Sequence, residues 1–287
     1  MKDVVIIGGG PAGVSAALYT TRANLTTQII YKNAGALTKA ESIDNFYGNP
    51  SVRGTELVQM GLIQAKSIGA ELIEAEVVGL MISEDLTHFK ITTTDNVYFG
   101  KKVILAAGAS HTIPKIPGLL AFEGKGVSFC AICDGFFHRG RNVAVLGNAA
   151  YALSEVHDLL PIASKVTLLT NGEKLQCDFP KEVEIITDKI QRLSGEKTLE
   201  HIVFENGHEM PFSGLFIALG SAGGSDLARK AGALIHQGYV SVDEHMQTNV
   251  PGLWAAGDCT GGLKQIAKAV YDGMNAGLNV IKMNRVG

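Results

Sequence analysis

The sequence predicts an α/β chain built from two Rossmann-like, three-layer dinucleotide folds, and three observations carry that prediction. Val4-Val5-Ile6-Ile7 is a short, wholly apolar run of the kind buried inside a parallel sheet. Gly8-Gly9-Gly10-Pro11-Ala12-Gly13 follows it, then an apolar helical pattern through Val14, Ala17, Leu18 and Thr21, then a second strand, Gln28-Ile29-Ile30-Tyr31. The same order recurs 139 residues later, where Val143-Ala144-Val145-Leu146-Gly147 falls on Val4 to Gly8 and Val166-Thr167-Leu168-Leu169 falls on Thr27 to Ile30. With 287 residues, 46% of them hydrophobic, the chain is long enough for about two such cores.

The first copy reads strand, G-x-G-x-x-G, helix, strand within about thirty residues. Gly8 permits the tight turn, Gly10 lets the backbone approach a pyrophosphate, and Gly13 lets the helix lie close on the strand. Phosphates at such a turn rest on free amides and on the positive end of the helix that starts at Pro11. No Asp or Glu closes the second strand at Tyr31-Lys32-Asn33. The carboxylate that usually meets the ribose of NAD is therefore missing, which favours FAD here. Gly35 to Pro50 reads as a long polar loop, a length that is usually functional. A helix is expected from Gly54 to about Ser67, with strands near Glu71–Leu80, Phe89–Thr94 and Val103–Ala106. Thr112 to Gly118 reads as a crossover between domains.

The second copy is degenerate. Ala149 takes the place of Gly10, Ala152 that of Gly13, and the bulky Tyr151 that of Ala12. Alanine at the third position is tolerated, but a methyl at Ala149 lies where a pyrophosphate must approach. The next strand ends Thr170-Asn171-Gly172-Glu173-Lys174, with no Arg for a 2′-phosphate before Arg192. These residues favour a scaffold that keeps the fold and binds no nucleotide. Beyond it, Val203 to Phe212 reads as a hairpin and Leu215 to Gly220 as a buried strand. Tyr239-Val240-Ser241-Val242 reads as the start of a return crossing. Leu253 to Asp258 is a buried strand ending Gly257-Asp258, ahead of a helix from Leu263 that carries Ala267, Val270 and Met274. An acid at that point can bond a sugar-alcohol hydroxyl, cap the helix, or do both.

Just before the second copy lies Cys130-Ala131-Ile132-Cys133-Asp134. Two thiols at this spacing can close a disulfide ring and lower each other's pKa, and Asp134 can carry the proton a leaving thiolate needs. Half a zinc site is the alternative. A structural zinc needs four ligands, and Cys177 and Cys259 stand apart from each other and from any close His, so a working dithiol and no metal are expected. The net charge of -3 gives no reason to expect nucleic acid or an anionic membrane as partner. No apolar run spans a bilayer and Met1-Lys2-Asp3 opens no signal peptide, so a cytoplasmic location is expected.

With these residues in place, nearly the whole chain resembles the low-molecular-weight thioredoxin reductases. The match runs through Gly8 to Gly13, Leu37-Thr38, Asp44-Asn45-Phe46-Tyr47-Gly48, Ala106-Ala107-Gly108, Cys130 to Phe137, Leu215 to Gly220 and Ala255 to Asp258. The resemblance implies an FAD domain, residues 1–111 and 238–287, with a disulfide-redox domain, residues 112–237, inserted into it. It also implies a homodimer and a thioredoxin as substrate. Cys133 would face the flavin, Cys130 would attack the substrate disulfide, and Asp134 would carry the proton. The implied cofactor site has Gly8, Gly10, Pro11, Ala12 and Gly13 at the phosphates, and Thr38 and Asn45 near the isoalloxazine. Gly257 and Asp258 would lie at the ribitol, and Lys264, Gln265 and Ile266 at the pyrimidine edge. Tyr31, Lys32, Ala36, Leu37, Val77, Ala107 and Gly108 complete it.

The family's NADPH domain carries a Gly-rich turn and then an Arg-rich stretch. Here Gly147-Asn148-Ala149-Ala150-Tyr151-Ala152 and Thr170-Asn171-Gly172-Glu173-Lys174-Leu175 carry neither. In this the chain is similar to the ferredoxin-dependent flavin thioredoxin reductases of anaerobic bacteria. The expected function is electron flow from reduced ferredoxin through FAD and the Cys130/Cys133 pair to thioredoxin. An NADPH-dependent thioredoxin reductase with an atypical site, an oxygen-using dithiol oxidase and a redox-sensing flavoprotein are the alternatives.

Overall fold

The structure is a computed structural model that describes residues 1–49, 51–109 and 113–286. The chain forms two compact units, Met1–Ser110 with Gly223–Gly287, and His111–Ala222.

In the first unit β1 (Lys2–Ile7) leads into α1 (Pro11–Arg22) and β2 (Thr27–Tyr31). Then come α2 (Gly54–Ser67), β3 (Glu71–Glu74), β4 (Val77–Ile82), β5 (Phe89–Thr93) and β6 (Val97–Leu105). Val4, Val5 and Ile6 are fully buried, as befits the middle of a parallel sheet covered on both faces. The sheet runs β3-β2-β1-β6-β5-β4. The single strand expected near Glu71–Leu80 is two. β3 pairs parallel with β2, whereas β4 pairs antiparallel with β5, so the chain must break between the two ladders. The strand expected at Val103–Ala106 begins earlier, at Val97, because its first half pairs antiparallel with β5 while its second lies parallel to β1. The expected polar loop from Gly35 contains a 3-10 helix, Gly35–Lys39; Pro50 lies outside the described residues.

The second unit contains β7 (Val127–Ser128), α3 (Ala131–Asp134), β8 (Asn142–Leu146), α4 (Ala150–Leu159), β9 (Lys165–Leu169) and β10 (Glu184–Ile186). β11 (Ile190–Ser194), β12 (His201–Phe204), β13 (Glu209–Pro211) and β14 (Gly214–Ile217) complete it. Its parallel sheet runs β10-β9-β8-β14-β7, and β11-β12-β13 form a separate antiparallel sheet that includes the expected hairpin. The order β10-β9-β8-β14 repeats β3-β2-β1-β6, so the repeat read in the sequence is a repeat of the fold.

The chain then returns through α5 (Gly224–Lys230), β15 (Ile235–His236), β16 (Tyr239–Val240), β17 (Leu253–Ala255) and α6 (Ile266–Val286). This corrects the expected boundary at residue 238: the return lies at Gly223. α5 packs on β4 and β6, and the Gly224 amide donates to the Gly108 carbonyl at 3.2 Å, so the helix belongs to the first unit. Tyr239-Val240 is a two-residue strand inside that unit, paired with β15. The start of the expected first crossover, Thr112, lies outside the described residues. β17 joins β6, and α6 crosses α1 closely: a Cβ on Gly273 would lie 2.0 Å from the Ala12 carbonyl oxygen, and one on Gly277 3.0 Å from that of Ala16. Among the described residues no helix is long and apolar enough to cross a membrane, and no group of three or more His, Cys, Asp or Glu side chains is placed to hold a metal.

Candidate active site

In the second unit β7 ends at Ser128, and Cys130 caps the one-turn helix α3 that carries Cys133 and Asp134. The two cysteines form a disulfide, with Cα atoms 5.3 Å apart. In the disulfide form Cys130 is 1% exposed, whereas Cys133 is an exposed residue. The Cys133 amide donates to the Cys130 sulfur at 3.2 Å, and the Asp134 amide to the Cys130 carbonyl at 3.1 Å.

Ser128 links the acid to the ring. Its hydroxyl donates to the Asp134 carboxylate at 2.7 Å and accepts from the Cys130 amide at 3.1 Å. A cleft of about 790 Å³ opens beside Ser128 and Asp134 and is also lined by His138 and Arg141. Burial, with help from the Arg141 charge, pulls the His138 imidazole below its ordinary pKa. The adjacent Phe136 and Phe137 are 67% and 73% exposed and meet edge to face, with Arg139 over Phe136.

Two further side chains touch the redox loop from α4. The Glu155 carboxylate, fully buried, accepts from the Ala131 amide at 2.7 Å, and the Tyr151 hydroxyl donates to the Phe129 carbonyl at 3.4 Å. Sequence reading gave Ser128 and Glu155 no role and took Tyr151 only as bulk in the degenerate nucleotide turn. The traceable signal is the bulky Tyr151 in an otherwise small-residue turn, with Glu155 four residues on, one helical turn along the same face.

In the first unit the candidate cofactor residues Gly8, Lys32, Ala107 and Gly257 follow the carboxyl ends of β1, β2, β6 and β17, where parallel α/β sheets bind ligands, whereas Val77 opens β4. Gly8 sits against Ala106 and Ala107, and Gly9 against the Tyr31 side chain. Gly257 approaches Ala12, to whose Cβ an added Cβ would come within 3.0 Å. The Asn45 amide donates to the Gln265 side-chain oxygen at 3.2 Å, joining two distant candidates. Thr38 turns its hydroxyl to the Gly35 carbonyl at 2.8 Å within the 3-10 helix that also holds Ala36 and Leu37. Lys32 pairs with Glu76 at 2.7 Å, beside the buried Val77. Gly108 caps the end of the β6 segment at a φ of 72°. Asp258 lies in the 3-10 turn Gly257–Thr260, and Lys264 is exposed just ahead of α6, which opens at Ile266.

Lys268 and Asp272, which the sequence reading passed over, strut that turn. The Lys268 ammonium donates to the carbonyls of Gly257 and Gly261 at 3.0 and 2.7 Å and pairs with Asp272 at 2.7 Å; Asp272 accepts from the Gly257 amide at 3.1 Å. Gly10 tests the fit of a dinucleotide. Its backbone, φ -76° and ψ -177°, suits any residue, and a Cβ there would meet nothing within 4 Å. The protein itself has no need of a glycine at this point, whereas a pyrophosphate on the α1 amides does.

A family model described as pyridine nucleotide-disulphide oxidoreductase matches residues 2–273. The thioredoxin reductase of Listeria monocytogenes is 34% identical over 98% of this chain and 93% of its own. An atypical thioredoxin reductase, TRi, from Desulfovibrio vulgaris Hildenborough superposes with a TM-score of 0.91 at 36% identity, over 99% of both chains. A ferredoxin-flavin thioredoxin reductase from Clostridium acetobutylicum gives 0.74 at 30% identity, over 100% of this chain and 99% of the other.

Proposed function

The chain belongs to the pyridine nucleotide-disulphide oxidoreductase family, and we propose that it is a thioredoxin reductase that draws its electrons from reduced ferredoxin. It is a flavoprotein oxidoreductase of the thioredoxin reductase type, acting on a disulfide with FAD as cofactor. FAD, when bound, supplies the change from single electrons to an electron pair. The turn Gly8–Gly13 would hold its phosphates, and the Gly257–Asp258 turn, strutted by Lys268 and Asp272, would hold its ribitol.

The electron pair enters at the exposed Cys133 sulfur, the S–S bond breaks, and Cys130 leaves as a thiolate. Cys130, covered in the disulfide form, must come to the surface once the S–S bond is broken; its thiolate then attacks the thioredoxin disulfide, forming a mixed disulfide and expelling one substrate thiolate, which Asp134 protonates. Cys133 attacks the mixed disulfide, restores the Cys130–Cys133 bond and releases the second thiol, with a second proton from solvent. The exposed Phe136–Phe137 pair beside the ring suits a protein substrate, since contiguous surface aromatics mark docking sites. A homodimer belongs to the same proposal.

The observation that carries the donor is the second nucleotide turn. Ala149 stands where Gly10 stands in the first, and the flanking Asn148 is bound to the chain's own segment: its side-chain amide donates to the Lys174 carbonyl at 2.7 Å, and its carbonyl accepts from the Gln176 amide at 2.8 Å. The likeness to the ferredoxin-flavin enzyme supports the same reading. The transfer is downhill: a ferredoxin near about -400 mV facing a thioredoxin near about -270 mV releases roughly 6 kcal/mol for two electrons. Anaerobic titration of the flavin absorbance tests it. Reduced ferredoxin is expected to bleach the flavin, and NADPH and NADH at micromolar concentration are not; rapid bleaching by NADPH overturns the donor assignment.

A further inference from the structure

Lys268 stands where its helix gives it no reason to be. It lies in the first turn of α6, at the positive end of the helix dipole. It also precedes its partner Asp272 in an i, i+4 pair, the less favourable order for a cation and an acid. Asp272 is 3% exposed, and a buried ion pair is often no better for stability than apolar residues of the same volume. Helix stability and packing therefore do not account for these two charges. The turn before the helix does. The Lys268 ammonium has three protons to give and lies within hydrogen-bond distance of four oxygens. These are the carbonyls of Gly257 and Gly261 at 3.0 and 2.7 Å, the Thr260 hydroxyl at 2.9 Å and the Asp272 carboxylate at 2.7 Å. Such a shell is the one oxygens form around a small monovalent cation. Asp272 also takes up the Gly257 amide, at 3.1 Å.

The turn needs such a hold. Gly257, Gly261 and Gly262 have φ of 82°, 77° and 74°, and glycines spaced this closely leave a turn loose until something fixes it. α6 is itself locked to α1: the Ser15 hydroxyl donates to the Val270 carbonyl at 2.7 Å, and Gly273 lies against the Ala12 carbonyl. Gly257 comes against Ala12 from the other side of the turn. Lys268 and Asp272 use up the turn's own polar groups, whereas the Asp258 carboxylate makes no hydrogen bond or ion pair among the described residues. We propose that Lys268 is the positioning residue of the flavin site. It acts as a built-in monovalent cation that fixes the Gly257–Gly261 turn against α1, so that the amino terminus of α1 and the Asp258 carboxylate are presented together to one FAD. A turn ordered before the cofactor arrives spares binding the cost of ordering it. The inference rests on the first unit being the FAD site, and not on the identity of the electron donor.

The test is titration of the flavin-free, full-length chain with FAD, followed through the fluorescence of Trp254, its one tryptophan. Trp254 lies on β17, which leads into the turn, and its indole donates to Asn279 of α6 at 3.0 Å. Lys268→Ala should weaken FAD binding at least about tenfold, the effect of losing one or more hydrogen bonds to a charged group. Ammonium or potassium ion, entering the vacated cage, should recover at least about threefold of that loss, because a cation that binds only the ordered turn stabilises it. Tetramethylammonium at the same ionic strength, too large for the cage and with no proton to give, should recover none. Thr260→Val, which removes one oxygen from the cage, should cost less than Lys268→Ala. If Lys268→Ala does not fold because Asp272 is left unpaired, Lys268→Met combined with Asp272→Asn removes both charges and should show the same loss of FAD affinity. An unchanged affinity in a variant that unfolds cooperatively would overturn the proposal. So would a loss in Lys268→Ala that no small cation offsets, or one that tetramethylammonium offsets equally. A wild-type chain that takes up no FAD would overturn the cofactor reading and this inference with it, whereas a chain that holds FAD and is indifferent to Lys268 would overturn this inference alone.

Discussion

A Cβ built on Gly8 would lie 2.2 Å from the Ala106 carbonyl oxygen; one built on Gly147, the same point of the second unit, would lie 2.2 Å from that of Ala218. Both turns need a glycine there because the next strand's backbone leaves no room. Gly10 is different, since a Cβ on it would meet nothing, and its counterpart is Ala149. The repeat therefore separates two kinds of glycine. One is kept in both copies because the fold demands it. The other is not demanded by the fold, and it is kept only in the first copy, where a close nucleotide approach would require it.

That separation can be broken by substitution. Gly8→Ala should cost roughly 3 kcal/mol or more, because it meets the Ala106 backbone and forces a φ of 116° on a residue with a side chain. Gly147→Ala should destabilise the second unit by overpacking alone, about 1–3 kcal/mol. Gly10→Ala should leave the stability of the flavin-free protein within about 0.5 kcal/mol of wild type, and the bulkier Gly10→Val should lose the yellow colour. Urea unfolding of apoprotein and flavin absorbance measure the two effects. Equal destabilisation by Gly8→Ala and Gly10→Ala would end the distinction.

The second unit's function should be separable from the first's. Asp134→Asn keeps an oxygen to accept from Ser128 and removes the proton carrier. Thioredoxin reduction should slow about 100-fold, within the range for a lost general acid–base group, while FAD content stays at the wild-type value. Steady-state rates and flavin-to-protein ratio check this together. A wild-type rate would leave Asp134 only its structural bond to Ser128.

What could be read from the sequence follows from locality. The turn Gly8–Gly13, the repeat and the Cys130/Cys133 pair are contiguous patterns whose chemistry depends on spacing along the chain. Glu155 was invisible because its partner, the Ala131 amide, is brought to it by the packing of α4 on α3, and a lone Glu in an amphipathic helix reads as surface. Lys268 and Asp272 had a legible i, i+4 spacing, but their target, the Gly257 peptide, is supplied by a turn in another element. The boundary near Gly223 was missed for a related reason. α5 is short and joins the first unit through backbone contacts at Gly108 and close approach to Cys259, which no periodicity records.

The smallest effect is expected where the comparison is most direct. Ala149→Gly makes the second turn match the first at the position that distinguishes them. If the methyl were the sole obstacle, NADPH would now bind. Three features argue that it will not. Asn148 still ties the turn to Lys174 and Gln176, so the segment that follows β9 stays fastened there. The stretch from Thr170 to Leu175 offers a single Lys and no planar guanidinium for a 2′-phosphate. Tyr151 at the start of α4 is committed to the Phe129 carbonyl and the core of its own unit. Ala149→Gly should therefore show no NADPH binding tighter than about 1 mM by calorimetry, with thioredoxin reduction by ferredoxin unchanged. Micromolar binding in this variant would mean that one methyl group separates a nucleotide site from a scaffold, and the second unit would have to be redrawn as a nucleotide site closed by a single substitution.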